Sequence, residues 1–88
     1  MDKLQKARSV ISEADAGMAD LFVRRMEAVA QVAEYKKERG LPIHVPQREE
    51  EIIAELSQKA TTELAPYVGR LYGQIFALSR EYQESLNG

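Results

Sequence analysis

Seven charged or polar residues are candidates for chemistry in this sequence, and all are of types that bind and polarise small anions. They are Arg8, Arg25, Lys36, Arg48, Glu49, Ser79 and Gln83. The four cations could hold a small dicarboxylate by its charges, while the carboxylate or the amide contacts neutral oxygens. Such a site would catalyse by positioning and preorganised electrostatics, without proton transfer or a covalent intermediate.

The remaining composition excludes several other kinds of chemistry. The chain has no cysteine, which excludes thiolate nucleophiles and thiolate metal sites, and the single His44 cannot form a zinc site by itself. No Glu-x-x-His pair and no phosphate-binding glycine loop occur. The formal net charge of -2 argues against a general nucleic-acid binder, which normally has a basic excess. We therefore expect no metal and no nucleic-acid partner, and we interpret His44 as a loop surface residue.

The sequence also bears on location and domain organisation. No stretch approaches the roughly 20 apolar residues of a membrane span, and the N-terminus lacks the apolar core of a secretory signal. We expect a cytoplasmic protein without a membrane partner. At 88 residues, the chain is expected to form one domain over residues 1–88, near the lower size limit for an unaided hydrophobic core.

The candidate residues must be positioned by one long helix, predicted from Lys3 to about Glu38. Arg25 interrupts its apolar heptad pattern. The apolar residues on the two heptad positions are Leu4, Ile11, Met18 and Val32, and Ala7, Ala14, Leu21, Ala28 and Tyr35. Such a helix is roughly 50 Å long, whereas a compact domain of this size has a radius of gyration of about 12 Å. The chain cannot cover this helix alone, so the sequence predicts an obligate dimer along it.

Helix geometry decides which cations can share a site. Arg8 and Arg25 lie seventeen residues apart, so their directions differ by roughly 100° and one helix cannot aim both at one pocket. Arg25 and Lys36 lie eleven residues apart, which is almost three whole turns. These two side chains therefore share a face, about 16 Å apart.

Two shorter helices are predicted after a stiff loop. Gly40 suits the left-handed residue that follows a helix C-terminus, and Pro42 and Pro46 prevent early resumption of the helix. The second helix is predicted from about Gln47 to Lys59 and the third from about Pro66 to Ser85. Ser79 and Gln83 lie four apart on one face of the third helix, and such a pair taken alone is more typical of a solvated edge.

The order and spacing of these residues resemble the all-helical (AroQ-type) chorismate mutases over nearly the whole chain. The residues that carry the resemblance are Arg8-x-x-Ile11-x-x-x-Asp15, Arg24-Arg25, Lys36, the loop from Pro42 to Pro46, Arg48-Glu49 and Ser79-x-x-x-Gln83. The resemblance implies an all-α fold in which three-helix chains form an intertwined homodimer. It also implies the rearrangement of chorismate to prephenate, the committed step toward phenylalanine and tyrosine, without a cofactor.

Carried over residue by residue, the resemblance implies a site shared between two chains. Six residues of one chain would meet Arg8 of the other: Arg25, Lys36, Arg48, Glu49, Ser79 and Gln83. Arg8 and Arg25 would bind substrate carboxylates. Lys36 and Gln83 would donate hydrogen bonds to the ether oxygen, where negative charge grows as the C–O bond breaks.

The other implied contacts surround these charges. Glu49 would accept a hydrogen bond from the substrate hydroxyl, Ser79 would support a carboxylate, and Arg48 would help order the site. Val45 departs from the pattern, because many members have an aspartate three residues before the Arg-Glu pair. If main-chain groups make the useful contact there, valine is tolerated; if the carboxylate is needed, substrate affinity falls.

Two other functions stay open from the sequence. Related helical proteins of the same fold eliminate pyruvate from isochorismate and share the cations, but Glu49 suits the hydroxyl of the mutase substrate. The third possibility is a non-catalytic helical dimer that serves as an interaction or regulatory module. Val45 keeps that possibility open, whereas a pure scaffold has no reason to interrupt its core seam with Arg25.

Overall fold

The structure of the protein, a computed structural model, describes residues 2–87 as an all-α fold of three helices. They are α1 (Lys3–Arg39), α2 (Pro46–Ser57) and α3 (Ala65–Asn87). The predicted three-helix chain with a very long first helix is confirmed. Within residues 2–87, α1 and α2 pack against α3 rather than against each other. Helix α3 therefore carries the side chains that can meet both other helices.

Both ends of α1 are closed by local hydrogen bonds. The Asp2 carboxylate accepts from the Gln5 backbone N–H at 2.8 Å, and the Gln5 side chain accepts from the Asp2 backbone N–H in return. At the other end, Gly40 has a φ of 65°, and the Leu41 N–H donates to the Lys36 carbonyl at 2.9 Å. This left-handed termination is the one predicted for Gly40, because a residue without a Cβ adopts it at no steric cost.

The boundaries of α2 and α3 differ from the predicted ones by one or two residues. Helix α2 begins at Pro46, whose fixed φ suits the first helical position. It ends at Ser57, because the Lys59 N–H donates to the carbonyl of Leu56 and tightens the chain into a turn. Helix α3 begins at Ala65, whose N–H donates to the Thr61 carbonyl at 2.9 Å.

Helices α2 and α3 approach closely at a glycine. A Cβ added at Gly69 would lie 3.4 Å from Cγ2 of Ile53 and 3.7 Å from Oγ of Ser57. A Cβ there would be in ordinary van der Waals contact with both side chains of α2. The backbone of α3 at Gly69 thus lies within a side chain's reach of α2.

The chain is elongated, and the first half of α1 has no cover. The principal extents are 55 × 25 × 15 Å, and the radius of gyration is 16.2 Å, against the value of about 12 Å for a compact domain. Every described residue before Phe22 is exposed. The exposed apolar side chains there include Leu4, Ile11, Met18 and Leu21, each more than half accessible. This uncovered apolar stripe consists of residues of the predicted heptad seam.

The most deeply buried side chains lie where α3 meets α1. Two of them are apolar, Ala33 at 1% and Phe76 at 5% exposure, and two are polar, Ser79 at 5% and Gln83 at 6%. Polar groups are rarely buried without a partner or a function. Among residues 2–87, no helix is long and apolar enough to cross a membrane.

Candidate functional site

A cavity of about 520 Å³ lies between the three helices and collects most of the candidate residues. The candidates that line it are Arg25, Lys36, Val45, Arg48, Glu49, Ser79 and Gln83. Its other walls are Arg80 and the apolar side chains of Val29, Val32, Ile43, Ile52 and Phe76. Residues far apart in the sequence thus meet around a space large enough for a small organic molecule.

Arg8 is the one candidate that lies elsewhere. It is exposed on the uncovered part of α1, about 26 Å along the helix axis from Arg25 at 1.5 Å per residue. Within one chain, therefore, Arg8 and Arg25 do not converge on one pocket, as the helix geometry requires. Arg25 and Lys36, in contrast, both line the same cavity.

Arg25 is held against α3 by two interactions. Its Nη1 donates a hydrogen bond of 2.6 Å to Oγ of Ser79, and its guanidinium carbon lies 5.4 Å from the centre of the Phe76 ring. The Ser79 hydroxyl donates in turn to the Ile75 carbonyl at 2.8 Å. Because Ser79 uses its proton on the backbone, its oxygen is left to accept from the guanidinium. Arg25 is therefore fixed at the cavity wall before any ligand binds.

Lys36 is oriented by the loop after α1. Its Nζ donates to the Ile43 carbonyl at 3.2 Å. An ammonium group has three N–H donors, so this bond leaves two for a ligand. The left-handed Gly40 and the two loop prolines bring the Ile43 carbonyl back to the last turn of α1. The loop thereby fixes the direction of the Lys36 ammonium group, whereas the sequence alone predicted only the face of α1 on which Lys36 lies.

Glu49 is bound by an arginine that the sequence reasoning missed. Nη1 of Arg80 donates to both carboxylate oxygens of Glu49, at 2.5 and 2.6 Å. His44 lies at 3.7 Å from the same carboxylate and is exposed in the loop. The sequence contains one indication that Arg80 lies near the site. It is three residues before Gln83, so the two side chains occupy neighbouring positions on the surface of α3. Nothing in the sequence links it to Glu49, thirty-one residues away.

Ser79 and Gln83 are buried, so the interpretation of this pair, taken alone, as a solvated edge of the helix is wrong. Their face of α3 points toward α1 and the cavity, and only the packing of the helices decides that direction. The Oε1 atom of Gln83 has no hydrogen-bond partner among residues 2–87. Leaving a buried polar atom unpaired costs about 1–3 kcal/mol. This oxygen is therefore available to accept a hydrogen bond from a bound ligand.

Val45 and Arg48 lie at the start of α2, at the rim of the cavity. Val45 is the N-cap residue and makes no side-chain capping bond, while its carbonyl accepts from the Glu49 N–H at 3.2 Å. An aspartate at this position would be an ordinary N-cap. Arg48 is exposed, so its guanidinium is reached from solvent and from the cavity.

The charges around the cavity suit a dianion. Four cations and one carboxylate line it, and the contact with Arg80 offsets the charge of Glu49. Arg25, Lys36 and Arg48 remain for the ligand. Among the described residues, no group of three or more histidine or acidic side chains is placed to hold a metal ion. The site is therefore equipped for anion binding by guanidinium and ammonium groups.

The fold and the cavity define a small all-α protein whose cavity is equipped to bind an anionic organic molecule between its helices. More particularly, the chain belongs to the chorismate mutase type II family, which it matches over residues 7–84. It is 40% identical over 58 residues to the T-protein of Enterobacter agglomerans, covering 66% of this chain and 16% of that protein. It is 43% identical over 49 residues to the T-protein of Haemophilus influenzae, covering 56% of this chain and 13% of that protein. The chain thus matches less than a fifth of the length of either relative. No solved structure matches the chain with significance.

Proposed function

We propose that the protein is a chorismate mutase, an isomerase that converts the dicarboxylate chorismate to prephenate in phenylalanine and tyrosine biosynthesis. The observation that carries the proposal is the shared cavity, in a chain of the chorismate mutase type II family. Guanidinium, ammonium, hydroxyl and amide groups from three helices line one space. The rearrangement is intramolecular, because the ether C–O bond breaks as a C–C bond forms, and we propose that it uses no cofactor.

The rate enhancement is assigned to Lys36 and Gln83. As the ether bond breaks, negative charge grows on the oxygen, so donors fixed beside it bind the transition state more strongly than the substrate. Lys36 has two N–H donors left after its bond to Ile43. The Gln83 amide is buried in the cavity wall, where low polarity strengthens its interaction with a developing charge.

Binding and orientation are assigned to the surrounding groups. Arg25 takes one substrate carboxylate, supported by its 2.6 Å bond to Ser79. Glu49 accepts from the substrate hydroxyl, and Arg48 orders the rim of the site. The side chain of Val45 offers no hydrogen bond, so only main-chain groups can serve the substrate at that position. Holding the substrate in a reactive conformation supplies part of the acceleration by removing orientational freedom.

A second copy of the chain is proposed to complete the site. The uncovered apolar stripe on α1 leaves large side chains such as Met18 more than half exposed, and a partner helix would bury them. The second carboxylate of the substrate needs another cation, and Arg8 lies on that same uncovered part of α1. In an intertwined homodimer, Arg8 of the partner copy would enter the cavity of the first. This arrangement uses the length of α1 for catalysis as well as for association.

The test is to incubate purified protein with chorismate, follow the loss of its ultraviolet absorbance, and identify the product by mass spectrometry. Prephenate supports the proposal, and a folded dimer that leaves chorismate unchanged contradicts it. A parallel incubation with isochorismate addresses the second activity left open by the sequence, since salicylate would identify a pyruvate lyase. A cytoplasmic location stays part of the proposal, and fractionation of the source cells checks it.

A further inference from the structure

We infer that Arg80 is a positioning residue of this site, which holds the Glu49 carboxylate in place to accept the substrate hydroxyl. The inference rests on the proposed function and adds a residue outside the motif that carries the resemblance to the chorismate mutases. Its basis is the contact between one guanidinium nitrogen and both oxygens of Glu49. Both residues line the cavity.

The contact joins two helices at the point where the substrate would bind. Arg80 belongs to α3 and Glu49 to the first turn of α2. Their side chains are 27% and 22% exposed, so the pair is partly shielded from water. An ion pair in that setting is screened less than one on the surface. Because the Glu49 carboxylate accepts hydrogen bonds from no other side chain among residues 2–87, Arg80 selects one direction for it.

The geometry leaves Glu49 able to bind a ligand. An ionised carboxylate has about four lone-pair sites, and the single Nη1 atom of Arg80 occupies one on each oxygen. The remaining sites can accept a hydroxyl proton. His44, at 3.7 Å, is beyond hydrogen-bond distance and more exposed, so it does not replace this contact.

Arg80 also changes the charge that a bound dianion experiences. Without it, the carboxylate of Glu49 would repel the substrate carboxylates across the cavity. Loss of Arg80 should therefore raise KM through repulsion and lower kcat through a misplaced hydroxyl contact. The repulsion and the misplaced hydroxyl contact both require the Glu49 carboxylate, so most of the loss should vanish when that carboxylate is removed. Only the direct attraction between the Arg80 charge and the dianion remains in that background.

The experiment is a double-mutant cycle in the whole 88-residue chain with chorismate as substrate, comparing wild type, Arg80→Met, Glu49→Gln and the double variant. Arg70→Met is the matched control, since Arg70 is an exposed arginine on the same helix, outside the cavity. We expect Arg80→Met to lose about tenfold in kcat/KM while remaining folded, and Arg70→Met to match wild type. In the Glu49→Gln background, removing Arg80 should cost no more than about twofold.

Other outcomes overturn the inference. Losses that multiply in the double variant would mean that Arg80 contacts the substrate directly or acts through general stability. Wild-type activity in Arg80→Met would mean that the contact has no role in turnover. If Arg80→Met does not fold, Arg80→Lys carries the test, with a smaller loss that again disappears beside Glu49→Gln. A wild-type protein that does not convert chorismate removes the proposed function itself, an outcome distinct from an active enzyme insensitive to Arg80.

Discussion

Replacing Lys36 by methionine should separate the chemistry of the cavity from the stability of the fold. In the free chain, the Lys36 ammonium makes one partly buried hydrogen bond, 3.2 Å long, to the Ile43 carbonyl. Methionine keeps most of the aliphatic stem, so the loss in unfolding free energy should be about 1 kcal/mol. For a domain of this size, that corresponds to a fall in Tm of about 4–8 °C.

The effect on turnover should be much larger, because in the proposed mechanism the ammonium faces charge that develops only in the transition state. Removing one such donor lowers kcat by about 10²–10³-fold, or roughly 3–4 kcal/mol. The assay is the initial rate of chorismate loss, with Tm measured by circular dichroism on the same samples. Lys37→Met is the matched control, since Lys37 is the neighbouring residue, is exposed and lies outside the cavity.

Two results would refute this reasoning about Lys36. One is a Lys36→Met protein that is folded and retains wild-type kcat. The other is an equal loss in Lys37→Met, which would trace the effect to the general charge of this helix end and away from a placed donor.

Two further predictions concern the fold around the cavity and the uncovered stripe. Arg25→Met removes the bond to Ser79 and the cation–π contact with Phe76. It should therefore lower the free energy of unfolding in urea by about 2–3 kcal/mol and strongly reduce chorismate turnover. Unchanged stability would contradict the role of the 2.6 Å bond. Met18→Glu places a charge on the uncovered stripe of α1 and should convert the proposed dimer to an inactive monomer, as measured by sedimentation equilibrium. A dimer that persists with full activity would place the interface elsewhere.

The fold was largely predictable because its signals are local. The heptad spacing predicts the long helix α1, while Gly40 and the loop prolines determine where it ends, and these end signals act within a few residues of the boundary. The end of α2 was predicted two residues late, because the turn after Ser57 lacks a glycine and is closed only by short-range backbone bonds. The heptad spacing also predicted that α1 is longer than one compact chain can cover, and the structure shows that its first half is uncovered.

The cavity was less predictable because it depends on how three helices meet. Eleven-residue spacing placed Arg25 and Lys36 on one face, and they line one space. The burial of Gln83, in contrast, follows from the rotation of α3 about its axis, which packing against α1 and α2 decides. The contact between Arg80 and Glu49 joins two helices across a turn, and no periodicity within either helix encodes it. Spacing in the sequence predicts which side chains share one face of a helix, whereas the contacts between two helices follow only from the assembled fold.

The most direct test of a site shared between two copies of the chain is complementation between two inactive variants. Chains carrying Arg8→Ala and Lys36→Ala are co-expressed with different affinity tags, and the heterodimer is purified through both tags. If each site takes Arg8 from one chain and Lys36 from the other, one of its two sites contains both wild-type residues, so the heterodimer should recover about half of wild-type chorismate mutase activity. Each variant alone should be inactive as a folded homodimer. A heterodimer no more active than its parents would contradict a site shared between two copies of this chain.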